Sequence, residues 1–225
     1  MYRYIEKNLE EVRERIAAHS GGRDVKLVAV TKSGSDDELI ALARLGALDI
    51  GENRPQELVR REALLREAGI TARMHEIGSL QKNKVRHIAP IAAMIHSLDS
   101  YELALEIDKR ASAIGRRIPV LIEINSGREA AKGGVLPEEA EALFQRVRDL
   151  PSIGVSGVMT MGPSEASGEE LRALFRETRR IYENLGEKYG YFGEPTLSMG
   201  MSDSFEAAID EGSTLVRVGR RLFTK

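Results

Sequence analysis

Eight short apolar runs recur along the 225-residue chain, each separated from the next by a longer polar stretch with apolar residues at helical spacing. In order they read "VKLVAV", "ALDIGENR", "ARMHEIGS", "MIHSLD", "IPVLIEIN", "GVSGVMTM", "TLSMG" and "TLVRVG". Runs of this length rich in Val, Ile and Leu predict strands, and the intervening 3.6-residue periodicity predicts helices. A strand that returns through a helix lies parallel to its predecessor. Eight such units with no surplus segment predict a single α/β domain over residues 1–225, a (β/α)8 TIM barrel. An open doubly wound sheet is the rival, and the regularity of the crossovers favours closure.

The connecting segments carry helix signals. Ser35 or Asp36 caps a helix whose Leu39, Leu42 and Ala43 share a face. Pro55 suits a first helical position. The pairs Glu57–Arg61 and Glu62–Arg66 have ion-pair spacing on a face read as solvated. Ser100 opens a helix with a Leu103, Ile107, Ala111, Ile114 stripe. Pro137 begins another, through Leu143, Phe144 and Val147, and a long one carries Leu171, Leu174, Phe175, Ile181 and Leu185. No helix is predicted after the eighth strand. An amphipathic helix before the first strand, with Ile5, Leu9, Val12 and Ile16 on one face, is placed to cover that gap.

The chain is 42% hydrophobic and 30% charged, with a formal net charge of −2. It has no global basic field for nucleic acid and no run near the ~18 apolar residues of a membrane span. The N-terminus lacks the apolar core of a signal peptide. There is no cysteine, which excludes disulfides and thiolate chemistry. These features predict a cytoplasmic protein with neither nucleic acid nor membrane as partner, and a monomer is the expectation for its assembly.

In such a barrel the C-terminal strand ends form one mouth, where chemistry sits. Lys32 ends the first run. It is either a solvated strand end or an amine partly desolvated by the barrel, with a lowered pKa, as a Schiff-base lysine requires. After the seventh run, "SMGMSD" supplies Ser198, Gly200 and Ser202 ahead of a helix. After the eighth, Gly219 stands at a turn. Loops after strands seven and eight are the usual phosphate site of these barrels, and Gly200 and Gly219 are otherwise ordinary turn glycines. Arg217 interrupts the eighth run on an inward-facing position and needs a partner, either a structural carboxylate or a ligand atom. Pyridoxal 5'-phosphate joins these features: an aldehyde for Lys32, a phosphate for the two loops, and a ring nitrogen for Arg217.

The segments "AVTK", "GENRPQE", "MHEIGSLQKNK", "HSLDS", "INSGREAAKGG", "GVMTMGP", "LSMGMSDSFEAAI" and "VRVGRRLF" occur in that order, from Val25 to Phe223. Together they closely resemble the pyridoxal phosphate homeostasis proteins, the YggS/PROSC-type family. The resemblance implies a barrel like the N-terminal domain of alanine racemase, without that enzyme's second domain. It implies that Lys32 forms an aldimine with the cofactor, that Arg217 faces the pyridine nitrogen, and that Ser198, Gly200 and Gly219 lie near the phosphate. Asn53 and Met159 match family positions near the cofactor. It further implies a role in intracellular cofactor balance, with cofactor-dependent apoenzymes as recipients, and no established turnover. The alternatives are a cofactor-dependent amino-acid racemase and an aldolase using Lys32 on a sugar phosphate.

Two departures stand out. The family's "WHFIG" reads "MHEIG" here, and Met74 and Glu76 are expected at the barrel edge with little effect on the cofactor. Arg220 follows Gly219 where a hydroxyl residue is common, so a charged phosphate contact replaces a neutral one or the contact is lost. His75 and His96 read as hydrogen-bonded structural histidines. Lys132 and Glu129 match a family spacing on the loop after the fifth strand, as ligand contacts or as solvated charges. The basic residues of "LQKNKVRH" read as a solvated helix face.

Overall fold

All eight predicted strands form and pair in parallel, in chain order, and the last returns to the first. The computed structural model describes residues 2–129, 132–162 and 166–225. Ala130 and Ala131 of "INSGREAAKGG" and Pro163 of "GVMTMGP" lie outside the described residues. The strands are β1 (Lys26–Val30), β2 (Asp49–Glu52), β3 (Arg73–Glu76), β4 (Ala92–Leu98), β5 (Ile118–Ile124), β6 (Ile153–Thr160), β7 (Thr196–Ser198) and β8 (Leu215–Val218). The ring closes where Lys26, Leu27, Val28 and Ala29 pair with Leu215, Val216, Arg217 and Val218.

The helices are α1 (Arg3–Ser20), α2 (Asp36–Arg44), α3 (Pro55–Glu67), α4 (Lys82–Ile88), α5 (Tyr101–Ser112), α6 (Ala140–Val147), α7 (Gly168–Tyr189), α8 (Phe205–Asp210) and α9 (Arg220–Phe223). Ser35 is the cap of α2. Its hydroxyl accepts from the Glu38 amide while Glu38 reaches back to the Ser35 amide, which satisfies two free helix-end donors at once. Pro55 takes the first turn of α3. Helix α1 buries Ile5, Leu9, Val12 and Ile16 and packs on α2, α8 and α9, so it covers the seam between the first and last strands. The eighth strand does have a helix after it, the single turn of α9.

Side-chain alternation divides the core into two shells. Ala29, Ile50, Met74, Ile95, Ile122, Val158, Leu197 and Val216 pack outward under the helices. Val28, Val30, Ile77, Leu121, Met159 and Leu215 are also buried, on the inward-facing series. Three expectations need correcting. Ile114 lies beyond the end of α5 and is 45% exposed, because the helix stops before the stripe's fourth member. Arg61 is buried rather than solvated: α3 turns it inward, 3.1 Å from Glu52 and donating to the Gly34 carbonyl at 2.9 Å. Met74 and Glu76 are not at an exposed edge. Both are buried in the outer shell. Among the described residues no helix is long and apolar enough to cross a membrane.

Candidate functional site at the barrel mouth

The site is built from the C-terminal ends of β1, β2, β6, β7 and β8. Lys32 lies two residues beyond β1 in a tight turn, and the inward series Lys26, Val28, Val30 runs on to it. Its side chain is exposed, so the desolvation expected from an apolar strand end is not supplied by the barrel itself. Asn53 follows β2 directly, and its Oδ1 is buried without a hydrogen-bond partner among the described residues. The turn after β3 leans on it so closely that a Cβ on Gly78 would sit 2.1 Å from the Asn53 carbonyl oxygen. Only glycine permits that approach.

Met159 and Ser198 are register partners on β6 and β7, and both are buried. Arg217 reaches the same level from β8. Its Nη1 donates to Ser198 Oγ, and its Nη2 donates to the Thr160 carbonyl at 2.8 Å. Burial lowers the guanidinium's pKa to about 10, opposed by the charge of Glu123. Glu123 itself is buried on β5. Burial lifts its carboxyl to about 7, Asp99 adds to the rise and Arg217 opposes it.

The loops after β7 and β8 are tied together, because the Gly219 amide donates to Ser202 Oγ at 3.1 Å. None of the hydrogen bonds among the described residues uses the amide of Ser202 or Asp203. Gly200 has φ +92°, and its carbonyl accepts from the Arg217 amide at 3.1 Å. A Cβ there would meet Ala208 Cβ at 2.6 Å and Phe205 Cα at 2.9 Å. The glycine therefore makes room for α8, rather than for a ligand approaching from the mouth. Arg220 pairs with Asp203 across the two loops, and Lys132 pairs with Glu129 at 2.7 Å.

The structure brings Asn53, Met159, Ser198, Arg217 and Gly219 to one end of the barrel, with Lys32 at its rim. It also shows what sequence reasoning missed, Thr160 as the second anchor of Arg217 and Glu123 as a buried carboxyl, while His75 and His96 are hydrogen-bonded as expected, and to each other. His75 Nδ1 lies 3.0 Å from His96 Nε2, and His96 Nδ1 lies 3.1 Å from Ser198 Oγ. Period-two alternation in "IPVLIEI" was the available signal for Glu123. The Thr160 contact uses a backbone carbonyl, which no residue type announces.

Residues 3–224 match the family described as "Alanine racemase, N-terminal domain". A pyridoxal phosphate homeostasis protein of Aquifex aeolicus is 39% identical over 222 residues, covering 96% of each chain. The chain belongs to this family. Its Pseudomonas aeruginosa member is 36% identical over 224 residues, covering 97% of this chain and 94% of that one. Among solved structures, PipY of Synechococcus elongatus with pyridoxal phosphate bound superposes with a TM-score of 0.86 at 29% identity, covering 98% of this chain and 100% of that one. The relatives are named for cofactor homeostasis rather than for a reaction.

The mouth fits the group bound by PipY. Lys32 is an accessible amine, the Ser202 and Asp203 amides and Asn53 Oδ1 have no hydrogen-bond partner among the described residues, and Arg217 is a buried cation fixed at two points.

Proposed function

We propose that this protein binds pyridoxal 5'-phosphate at the barrel mouth, in the cytoplasm and as a monomer, and holds it for delivery to apoenzymes that need it. The observation that carries the reading is Arg217: a guanidinium buried in a barrel, anchored by Ser198 and the Thr160 carbonyl, and facing the end where Lys32 and two donor-rich loops converge. Lys32 supplies the amine that captures the aldehyde. The Ser202 and Asp203 amides and the Gly219 loop receive the phosphate. Met159 forms an apolar wall, and Asn53 offers an acceptor. When bound, the cofactor supplies an electron sink. A permanently cationic arginine at its ring nitrogen keeps that nitrogen unprotonated and weakens the sink.

The same geometry argues against an efficient racemase, which needs an acid–base group on each face of the substrate carbon. The hydroxyls of Tyr4, Tyr189 and Tyr191 are engaged with Glu38, Glu141 and the Tyr182 carbonyl, all in the helical shell. Tyr101 opens α5 under the Arg146 guanidinium.

Purified protein should show a visible absorbance band on adding the cofactor. Borohydride followed by peptide mapping should fix the label on the peptide carrying Lys32, and Lys32→Ala should abolish the band. Labelling chiefly at Lys84 or Lys132 would overturn the assignment. Racemisation of L-alanine at ~1 per second or faster, abolished by Lys32→Ala, would overturn the binding role in favour of an enzyme.

A further inference from the structure

One connected file of polar groups runs through the barrel from the mouth to the opposite face, beside inward apolar side chains such as Val28, Leu121 and Leu215. At the mouth stand Arg217 and Ser198. His96, fifth residue of β4, and His75, third residue of β3, continue the file inward. Asp49, first residue of β2, ends it at the opposite face, with His75 Nε2 3.0 Å from its Oδ1. Asp49 also accepts from Arg73 Nε at 2.6 Å, and it lines a cavity of about 240 Å³ with Lys26, Arg73, His75, Phe192 and Glu194.

The direction of every hydrogen bond in this file follows from its two ends. Arginine only donates, so Ser198 Oγ accepts from Arg217 and has its own hydrogen left to give. Asp49 only accepts. Burial would raise its pKa, but His75 and Arg73 outweigh that and hold it down at about 2. His75 Nε2 therefore carries a hydrogen, and in the neutral ring Nδ1 is bare. That bare nitrogen accepts from His96 Nε2–H, which leaves His96 Nδ1 bare to accept from the Ser198 hydroxyl. The two ends demand the same direction, so no member is left unpaired.

We infer that His96 and His75, locked as Nε2–H tautomers by Asp49, are positioning residues that hold the Ser198 hydroxyl and the Arg217 guanidinium in the orientation that meets the cofactor ring. The inference rests on the cofactor-binding reading above. The file does not pass protons: Arg217 holds its proton to about 10, whereas Asp49 gives up its own at about 2. It transmits direction. A second proton on His75 would remove the acceptor for His96, turn His96 to the Nδ1–H tautomer, and free the Ser198 hydrogen from the file. His75 faces Asp49 on β2 and His96 on β4, with Arg73 on its own strand and Lys26 and Glu194 across the cavity. His96 faces His75, Ser198 on β7 and Arg217 on β8. Burial first, then His75 and Arg217, push the pKa of His96 well below the usual histidine value, which favours the neutral file.

The test has two arms. Nitrogen-15 NMR of histidine-labelled protein without cofactor should show two buried imidazoles bare at Nδ1 and protonated at Nε2 at neutral pH. A hydrogen on Nδ1 of His96 would overturn the inference whatever the cofactor does. In the second arm, His96→Leu removes the acceptor for Ser198, and His96→Asn restores an oxygen near the former Nδ1. His96→Leu should weaken pyridoxal phosphate binding roughly tenfold, the effect of one lost hydrogen bond to a polar network, and shift the bound absorbance band. His96→Asn should restore both. Equal loss of stability in the two variants, with the band unmoved, would reduce His96 to a structural residue. Wild-type protein with no affinity for the cofactor overturns the proposed function and the positioning role with it. Wild-type binding unchanged in His96→Leu overturns the positioning role alone.

Discussion

Glu76 carries its carboxyl into a space built for apolar side chains. One oxygen accepts from the Gly78 amide at 3.3 Å, and the other has no partner among the described residues. Burial raises its pKa to about 8, the Gly78 amide opposes the rise and the charge of Glu52 adds to it. The folded value exceeds the unfolded one, so the neutral acid is the folded form at pH 7. Its favourable contribution is complete below about pH 4.5 and is lost as pH rises through 8. The shift from 4.5 to about 8 corresponds to roughly 3–5 kcal/mol once fully developed. Glu76→Gln keeps an acceptor for Gly78 and removes the titration. Urea denaturation should show wild-type protein losing stability between pH 5 and pH 9, and the variant losing much less. Parallel curves for the two proteins would show that Glu76 is ionised without penalty. In sequence, "MHEIG" suggested an edge position, because glutamate is seldom fully buried. The strand's alternation outranked residue type: Met74 and Glu76 share the outward face, and that face is roofed by helices.

At the scale of elements, the loops after β7 and β8 were legible because their chemistry is local. Glycines, serines and a following helix lie close in sequence, and Ser202 joins the loops through the Gly219 amide. Phosphate contacts there contribute on the order of 1.5–3 kcal/mol each, so pyridoxal lacking its phosphate should bind at least ~100-fold more weakly by absorbance titration. Comparable affinities would place the phosphate elsewhere. The role of Gly200 was less legible, because it depends on a contact distant from the turn itself. With φ +92° and Ala208 and Phe205 against its Cα hydrogen, Gly200→Val combines left-handed strain with overpacking, and should lose roughly 2–4 kcal/mol even without cofactor. A variant of normal stability that merely binds the cofactor poorly would show instead that the side chain enters the ligand's space. The buried triad of Thr31, Glu52 and Arg61 escaped notice for the same reason. Helical spacing paired Arg61 with Glu57, and that pair exists at 3.9 Å, but the third dimension adds Glu52 at 3.1 Å.

At the scale of the whole molecule, eight repeats of strand and helix made the barrel readable, because closure is the arrangement in which no parallel strand keeps an open edge. What the repeat did not specify is how the ring is held shut where it has only one turn of helix, α9, after its last strand. Helix α1 does this work from both sides. Tyr4 reaches Glu38 at the start of α2, and Asn8 donates to the Leu222 and Thr224 carbonyls, at 3.3 and 2.8 Å, near the chain's end. Between these contacts Ile5, Leu9, Val12 and Ile16 are buried as α1 packs on α2, α8 and α9, the helices that flank β1 and β8. A helix so placed is part of the closure, and its loss should be felt by the whole ring. Leu9 is 1% exposed, and Leu9→Ala should lower the unfolding free energy by roughly 2–5 kcal/mol. The loss should appear as an earlier midpoint of a single transition, seen alike by far-ultraviolet circular dichroism and by hydrogen exchange in β1 and β8. If exchange rose in α1 alone while β1 and β8 stayed protected, the helix would be a detachable cover, and the eight strands would close without it.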